Sequence, residues 1–216
     1  MEIRYYVTRD GADPFQDWLD RLKDLKARVA VLRRVDRVMA GNFGDHRFCG
    51  EGVWELRIDI GPGYRVYYAV SGTTVVLLLC AGSKRSQNAD IKRTTLILER
   101  LLSETAMSKA RRPSRDHDAA TIESFRKSPR FAAEYLNAVL EADDQEELMM
   151  ALRRLSEAFG GVPALAAAAG LNPTTLYRTL SRRGNPELRS VTALLKAMGM
   201  RLSVQPVARR TRSKAA

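Results

Sequence analysis

Gly52-Val-Trp-Glu-Leu-Arg-Ile-Asp-Ile-Gly-Pro-Gly-Tyr-Arg-Val-Tyr-Tyr68 reads as a β-hairpin, because apolar and polar residues alternate on both sides of a Gly-Pro-Gly turn. Trp54, Leu56, Ile58 and Ile60 fall on one face, with Glu55, Arg57 and Asp59 on the other. After the turn, Tyr64, Val66, Tyr68 and Val70 continue the apolar face, opposite Arg65 and Tyr67. With Gly61-Pro62-Gly63 as a three-residue loop, Ile60 pairs with Tyr64, Asp59 with Arg65, and Arg57 with Tyr67. The bland reading of that register is structural: Arg65 neutralises Asp59 and Arg57 stacks on Tyr67. Lys84 and Arg85 beyond the next strand, and His46 and Arg47 on the preceding loop, add to the same sheet edge. Five cations and an imidazole would then converge near one sheet edge.

Around the hairpin, residues 2–8 predict a first strand. A helix follows from Asp13 as N-cap with Pro14 at its first position, burying Phe15, Trp18, Leu19, Leu22 and Leu25. A second helix over 27–40 carries Val31, Val35 and Val38 on one stripe and stops at Gly41. Thr74 to Ala81 is apolar on both faces and reads as an interior strand. Asn88 to Leu102 closes the unit as a helix with Ile91, Thr95, Leu98 and Leu102 in line. This order predicts an α+β domain over 1–104, an antiparallel sheet with helices on one face.

Composition changes near Ser103. Residues 105–120 are polar and basic, contain Pro113 and read as a linker; Met107 fits a former start codon. Residues 121–207 predict an all-α domain: helices over 131–140, over 145–159 capped by Asp144, and near 162–169, 173–180 and 187–197, with a strand-like end at 201–206. Residues 208–216 form a basic tail.

The chain has 216 residues and carries 36 Lys and Arg against 25 Asp and Glu, a net charge of +11. Residues 107–216 hold most of the excess, 19 basic against 11 acidic. Such a balance points to a polyanionic partner. Cys49 and Cys80 are too few for a disulfide framework and lack metal-ligand spacing, so neither cofactor nor metal is expected. No apolar run suffices for a membrane span and no signal peptide is evident, which places the chain in the cytoplasm.

Leu165, Ala166, Ala169, Gly170, Leu171 and Leu176 follow helix-turn-helix spacing, with Asn172 capping a second helix that starts at Pro173. Leu176 and Leu180 then face inward. Thr174, Thr175, Tyr177, Arg178 and Arg182 face outward, a mixture suited to a DNA major groove and its phosphates. The bland alternative is a helical bundle with a solvated face.

Gly44-Asp45-His46, Gly52-Val-Trp-Glu-Leu-Arg57, Gly61-Pro-Gly-Tyr-Arg-Val66, Leu77-Leu-Leu79, Gly82-Ser-Lys84 and Ser86-Gln-Asn-Ala-Asp-Ile91 together resemble the RelE/ParE superfamily, in its HigB-like addiction module killer branch. The resemblance implies either cleavage of mRNA, often on the ribosome, or poisoning of DNA gyrase. For metal-independent RNA cleavage it implies that Arg57 and Arg65 hold the phosphate and Lys84 supplies a further cation or proton. Arg85, Tyr67 and His46 are secondary candidates. Ser83 stands where the family pattern has Asp. Ala133-Glu-Tyr-Leu-Asn137, Ala168-Ala-Gly-Leu-Asn-Pro-Thr-Thr-Leu-Tyr177, Gly184-Asn-Pro186 and the segment 194–202 resemble HigA-like addiction module antidote proteins. These bind their partner toxin and repress their own operon as dimers. The combined expectation is a toxin–antitoxin fusion with mRNA, operator DNA, its own two halves and a second copy as partners. Two alternatives stand beside it: a transcription regulator with a catalytically dead toxin-like domain, and a gyrase-poisoning toxin half.

Overall fold

The computed structural model describes residues 1–72, 75–107, 114–181 and 184–206. Two compact units divide between Asp143 and Asp144, well beyond the change of composition near Ser103.

The first unit is built on β1 (Glu2–Tyr6), α1 (Pro14–Arg21), α2 (Leu25–Met39), β2 (His46–Gly50), β3 (Val53–Ile58), β4 (Tyr64–Ser71), β5 (Val75–Ser83) and α3 (Gln87–Met107). It continues with β6 (Ser114–Asp116), α4 (His117–Lys127) and α5 (Pro129–Leu140). The strands form one sheet in the order β2-β3-β4-β5-β1-β6. It is mixed rather than antiparallel, since β1 runs parallel to β5 while its other neighbour, β6, runs antiparallel.

Helices cover both faces of this sheet, not one. Tyr5 and Tyr6 are successive strand residues and so point to opposite sides. Tyr5 packs edge-on against Phe15 of α1, with ring centroids 4.8 Å apart, whereas Tyr6 joins Tyr67, Leu79, Leu98 and Leu101 under α3. The predicted α3 stripe is shifted accordingly. Thr94, Leu98 and Leu101 are buried, and Leu102 is exposed.

Asp13 caps α1 as expected, its carboxylate accepting from the Gln16 amide at 2.9 Å, and Pro14 opens the helix. That helix stops at Arg21, because Asp24 caps a new one that takes Leu25 as its first residue. Val31, Val35 and Val38 of α2 are fully buried. His46 and Arg47 lie on an edge strand instead of a loop.

Part of the expected linker is ordered structure. Ser114–Asp116 pairs with β1, and α4 begins at His117. A buried network binds α4 and α5 to α2 and β1. Tyr135 donates to Asp36 Oδ2 at 2.7 Å, and His117 Nε2 meets Asp36 Oδ1 at 2.7 Å. His117 Nδ1 meets the Tyr5 hydroxyl at 2.7 Å. Arg28 sits 4.5 Å over the Phe131 ring, and Gln16 donates to Ser124 at 3.1 Å. Burying an aspartate is tolerable only because both of its oxygens have partners.

The second unit contains α6 (Gln145–Ala158), capped by Asp144, then α7 (Val162–Ala169), α8 (Pro173–Thr179) and α9 (Leu188–Ala197). α7 packs on α8 and α9. Gly170 sits at φ +66°, the left-handed conformation that lets α7 end in a tight turn. Gly184 is required for space, since a Cβ there would lie 1.7 Å from the Thr179 carbonyl oxygen. The end at 201–206 is not a strand. The tail from 207 lies outside the described residues, as do Arg182 and Arg183.

Candidate functional site

The β3–β4 register is slipped by two residues from the expected one. Ile58 pairs with Tyr64, Arg57 with Arg65, Leu56 with Val66 and Glu55 with Tyr67, so the loop spans five residues, 59–63. A slip of two keeps every side chain on its face, so the alternation was right and the partners were not. The consequence is electrostatic: two arginines stand directly opposite each other, an arrangement that costs stability unless something compensates.

Compensation comes from unequal surroundings. Arg57 is 28% exposed, and its Nε donates to Glu55 Oε1 at 2.8 Å. That hydrogen bond holds the guanidinium above its usual range. Asp45 Oδ1 is 3.8 Å from Arg57 Nη1. Glu55 is fully buried, and its other oxygen accepts from Gln87 Nε2 at 2.9 Å, at the start of α3. Arg65 is buried, with Nη1 donating to the Tyr64 carbonyl at 2.9 Å and lying 3.8 Å from Asp59. The expected Asp59 contact is therefore present, though not as a cross-strand pair. Arg57 takes Glu55, not Tyr67, as its partner.

Lys84 joins this pair through the backbone. Its amide donates to the Gly63 carbonyl at 2.8 Å, in a 3₁₀ turn over Lys84–Ser86 that follows β5. A Cβ on Gly63 would lie 3.7 Å from both Arg65 Nη1 and Lys84 Cβ, so the loop glycine sits between the Arg65 guanidinium and the base of the Lys84 side chain. Gly82 faces Arg65 across β4 and β5 and leaves room for Asp90, whose carboxylate lies 2.6 Å from Ser86 Oγ. Lys84 and Arg85 are exposed. No cluster with metal-ligand character occurs among the described residues.

Two sequence candidates sit apart from it. Tyr67 is fully buried in the cluster beneath α3, its hydroxyl has no hydrogen-bond partner, and burial raises its phenol above the usual value. His46 pairs with Leu56, which puts it on the face opposite Arg57 and Arg65. There it lies between the Phe43 and Trp54 rings, 5.4 and 5.5 Å from them, with Nδ1 2.9 Å from the Gly44 carbonyl. Glu55 and Gln87, which set the position of Arg57, are not among the site candidates that the sequence marks. The signal for Glu55 was its place two residues from Arg57 on the same strand face.

In the second unit, Thr174, Thr175, Tyr177 and Arg178 of α8 are exposed, while Leu176 and Leu180 are buried as the periodicity requires. Asn172 caps α8 by accepting from the Thr175 amide at 3.1 Å.

Fold and geometry together define an α+β domain with Arg57 and Arg65 opposed on its hairpin, followed by a helical unit. Residues 17–102 match the family described as "Phage derived protein Gp49-like", and residues 119–206 match "Probable addiction module antidote protein". An uncharacterized protein of Haemophilus influenzae is 44% identical over 87 residues, 40% of this chain and 88% of that one. A second from the same organism is 34% identical over 71 residues, 33% of this chain and 72% of that one. No solved structure matches the chain. The chain belongs to the addiction-module, or toxin–antitoxin, proteins.

Proposed function

We propose that this chain is a type II toxin–antitoxin fusion of the HigB and HigA kind. Residues 1–104 form a RelE-like, metal-independent endoribonuclease acting on mRNA. Residues 121–207 form a helix-turn-helix antitoxin that binds operator DNA as a homodimer and represses its own operon in the cytoplasm. The observation that carries this reading is the direct opposition of Arg57 and Arg65 with Lys84 at the same loop. A bare fold would avoid like charges in register, whereas a pentavalent phosphate with its added charge needs them. In this scheme Arg57 and Arg65 hold and stabilise the phosphate, Lys84 carries charge or a proton, and Arg85 supports them. Tyr67 and His46 would contribute only through the surrounding packing.

Thr174, Thr175, Tyr177 and Arg178 would meet the DNA, with Arg182 adjoining them. Neutralisation in cis gains from tethering, which supplies roughly millimolar effective concentration when the linker permits the contact.

A second reading has its own support. Arg57 is already hydrogen-bonded by Glu55, and Arg65 by a backbone carbonyl, which suits a transcription regulator whose toxin-like domain is catalytically dead. The test is inducible expression of residues 1–106, residues 1–143 and the whole chain, with cellular RNA integrity as the readout. RNA cleavage by the shortest form, abolished by Arg57→Ala with Arg65→Ala, supports the fusion. Intact RNA with normal growth supports the dead module. Intact RNA with damaged DNA indicates gyrase.

A further inference from the structure

The two family matches and the two compact units divide the chain at different places. The Gp49-like match ends at residue 102 and the antidote match begins at 119, yet the first unit runs on to Asp143. Most of α4 and all of α5 thus belong to the antidote match by sequence, and by packing to the unit that carries the Gp49-like match.

The contact they make has the anatomy of a binding interface. β6 lengthens the sheet at β1, with Arg4 opposite Asp116 and Tyr6 opposite Ser114. Arg4 Nε donates to Ser114 Oγ at 2.6 Å, and its Nη2 donates to the Ser114 carbonyl at 3.2 Å. An extended segment added to a sheet edge gains affinity from its main chain and specificity from its side chains. Those side chains follow in α4 and α5. Phe125, Phe131 and Tyr135 form a fully buried aromatic centre, with Phe125 5.7 and 5.1 Å from the other two rings. Arg28 of α2 covers Phe131, and Gln16 of α1 reaches Ser124. Aromatic anchors around a desolvated polar group are the usual carriers of binding energy.

That polar group is Asp36. It is 3% exposed on α2, and it meets His117 Nε2 through Oδ1 and the Tyr135 hydroxyl through Oδ2, each at 2.7 Å. Both partners come from the segment that follows the Gp49-like match. A helical segment lacking the imidazole or the hydroxyl takes a partner away from a buried carboxylate, so Asp36 selects as well as binds.

We infer that the face formed by α1, α2 and the edge of β1 is a docking surface for an antidote, and that residues 114–143 are the segment that fits it, keyed by Asp36. In this chain the occupant is supplied in cis; a separate antidote chain carrying the same segment fits the same surface. The inference rests on the fusion reading of the chain and not on the RNA chemistry of its first domain.

The test starts from the whole chain with an N-terminal affinity tag and a flexible insert, carrying a protease site, between residues 110 and 111. After cleavage under native conditions, the 111–216 piece is expected to stay with the tagged piece at micromolar concentration. Asp36→Ala should weaken the association of the cut pieces about 30-fold or more. Tyr135→Phe, which keeps Asp36 and its contact with His117, should weaken it about tenfold while circular dichroism stays unchanged. In a version with a second site between Asp143 and Asp144, the 111–143 piece should remain on the tag. Separation of the wild-type pieces overturns the inference, and unchanged affinity in Tyr135→Phe overturns the role of Asp36. Loss of 111–143 with retention of 144–216 assigns docking to the helix-turn-helix unit and likewise overturns it. None of these readouts uses RNA, so the nuclease reading stands or falls separately, on RNA integrity after induction of residues 1–106.

Discussion

Glu55 and Arg57, two residues apart on one strand, share a 2.8 Å hydrogen bond in which a fully buried carboxylate steers a partly exposed guanidinium. This contact turns Arg57 away from free motion and toward a single orientation beside Arg65. The buried end is anchored again by Gln87, so the first residue of α3 also helps to set the site. A double-mutant cycle of Glu55→Gln and Arg57→Ala is expected to give a coupling of about 0.5–3 kcal/mol in denaturant unfolding. Additive single effects would show that the contact is incidental.

Asp36 is the acceptor on which α4 and α5 converge. Asp36→Ala leaves the Tyr135 hydroxyl and His117 Nε2 without this acceptor inside the protein, and each such loss costs about 1–3 kcal/mol. The expected result is a loss of several kcal/mol in unfolding free energy, measured by denaturant titration. Tyr135→Phe should cost less, because it removes one hydrogen bond to Asp36 and keeps the carboxylate and its contact with His117.

Alkaline pH should loosen the first unit. Burial pushes the Tyr68 phenol up to about 12 from an ordinary value near 10, and it raises Tyr67 as well. A raised folded value means that the unfolded chain loses its proton first. The stabilising contribution is therefore complete below about pH 10 and falls away as pH rises toward 12. Unfolding midpoints measured from pH 8 to 12 should decline over that window, and Tyr68→Phe should flatten the decline. A slope unchanged in the variant would place its cause elsewhere.

Gly184→Ala puts a methyl group against backbone that cannot rotate away, 1.7 Å from the Thr179 carbonyl oxygen. The Gln145 side chain also donates to the Gly184 carbonyl at 2.9 Å, so movement there strains the start of α6. A marked drop in the helical melting transition is expected by circular dichroism, larger than for Gly170→Ala, whose Cβ meets open space.

If the second unit binds operator DNA as proposed, Arg178→Ala weakens that binding and lowers the salt slope by about 1, with little change in stability, because the residue is exposed on α8. Leu176→Ala should instead destabilise the unit by roughly 2–5 kcal/mol, since that side chain is buried. Fluorescence anisotropy with labelled operator DNA and a thermal melt separate the two.

Much of this was legible locally. Asp13 with Pro14, Asp144 and Asn172 mark helix starts by their own chemistry, and α7 ends at Gly170 because glycine alone adopts the left-handed turn without strain. The alternation of Trp54, Leu56 and Ile58 against Glu55 and Arg57 named the faces correctly. The site was legible as residue types in a stretch of chain, but not as a geometry. His46 looked like a neighbour of Arg57 and lies on the other face; Tyr67 looked exposed and is covered by α3.

The sequence by itself determined where α1, α6 and α8 start, which strand face is apolar, and which residues could form a cationic cluster, because these depend on neighbours within a few residues. Only the tertiary structure decided the hairpin register that sets Arg57 against Arg65, the second helical layer over Tyr67, and the docking of α4 and α5 on Asp36. Those outcomes come from contacts between residues far apart in the chain. Asp36 and Tyr135 are 99 positions apart, and no local pattern records which buried carboxylate a distant hydroxyl will find.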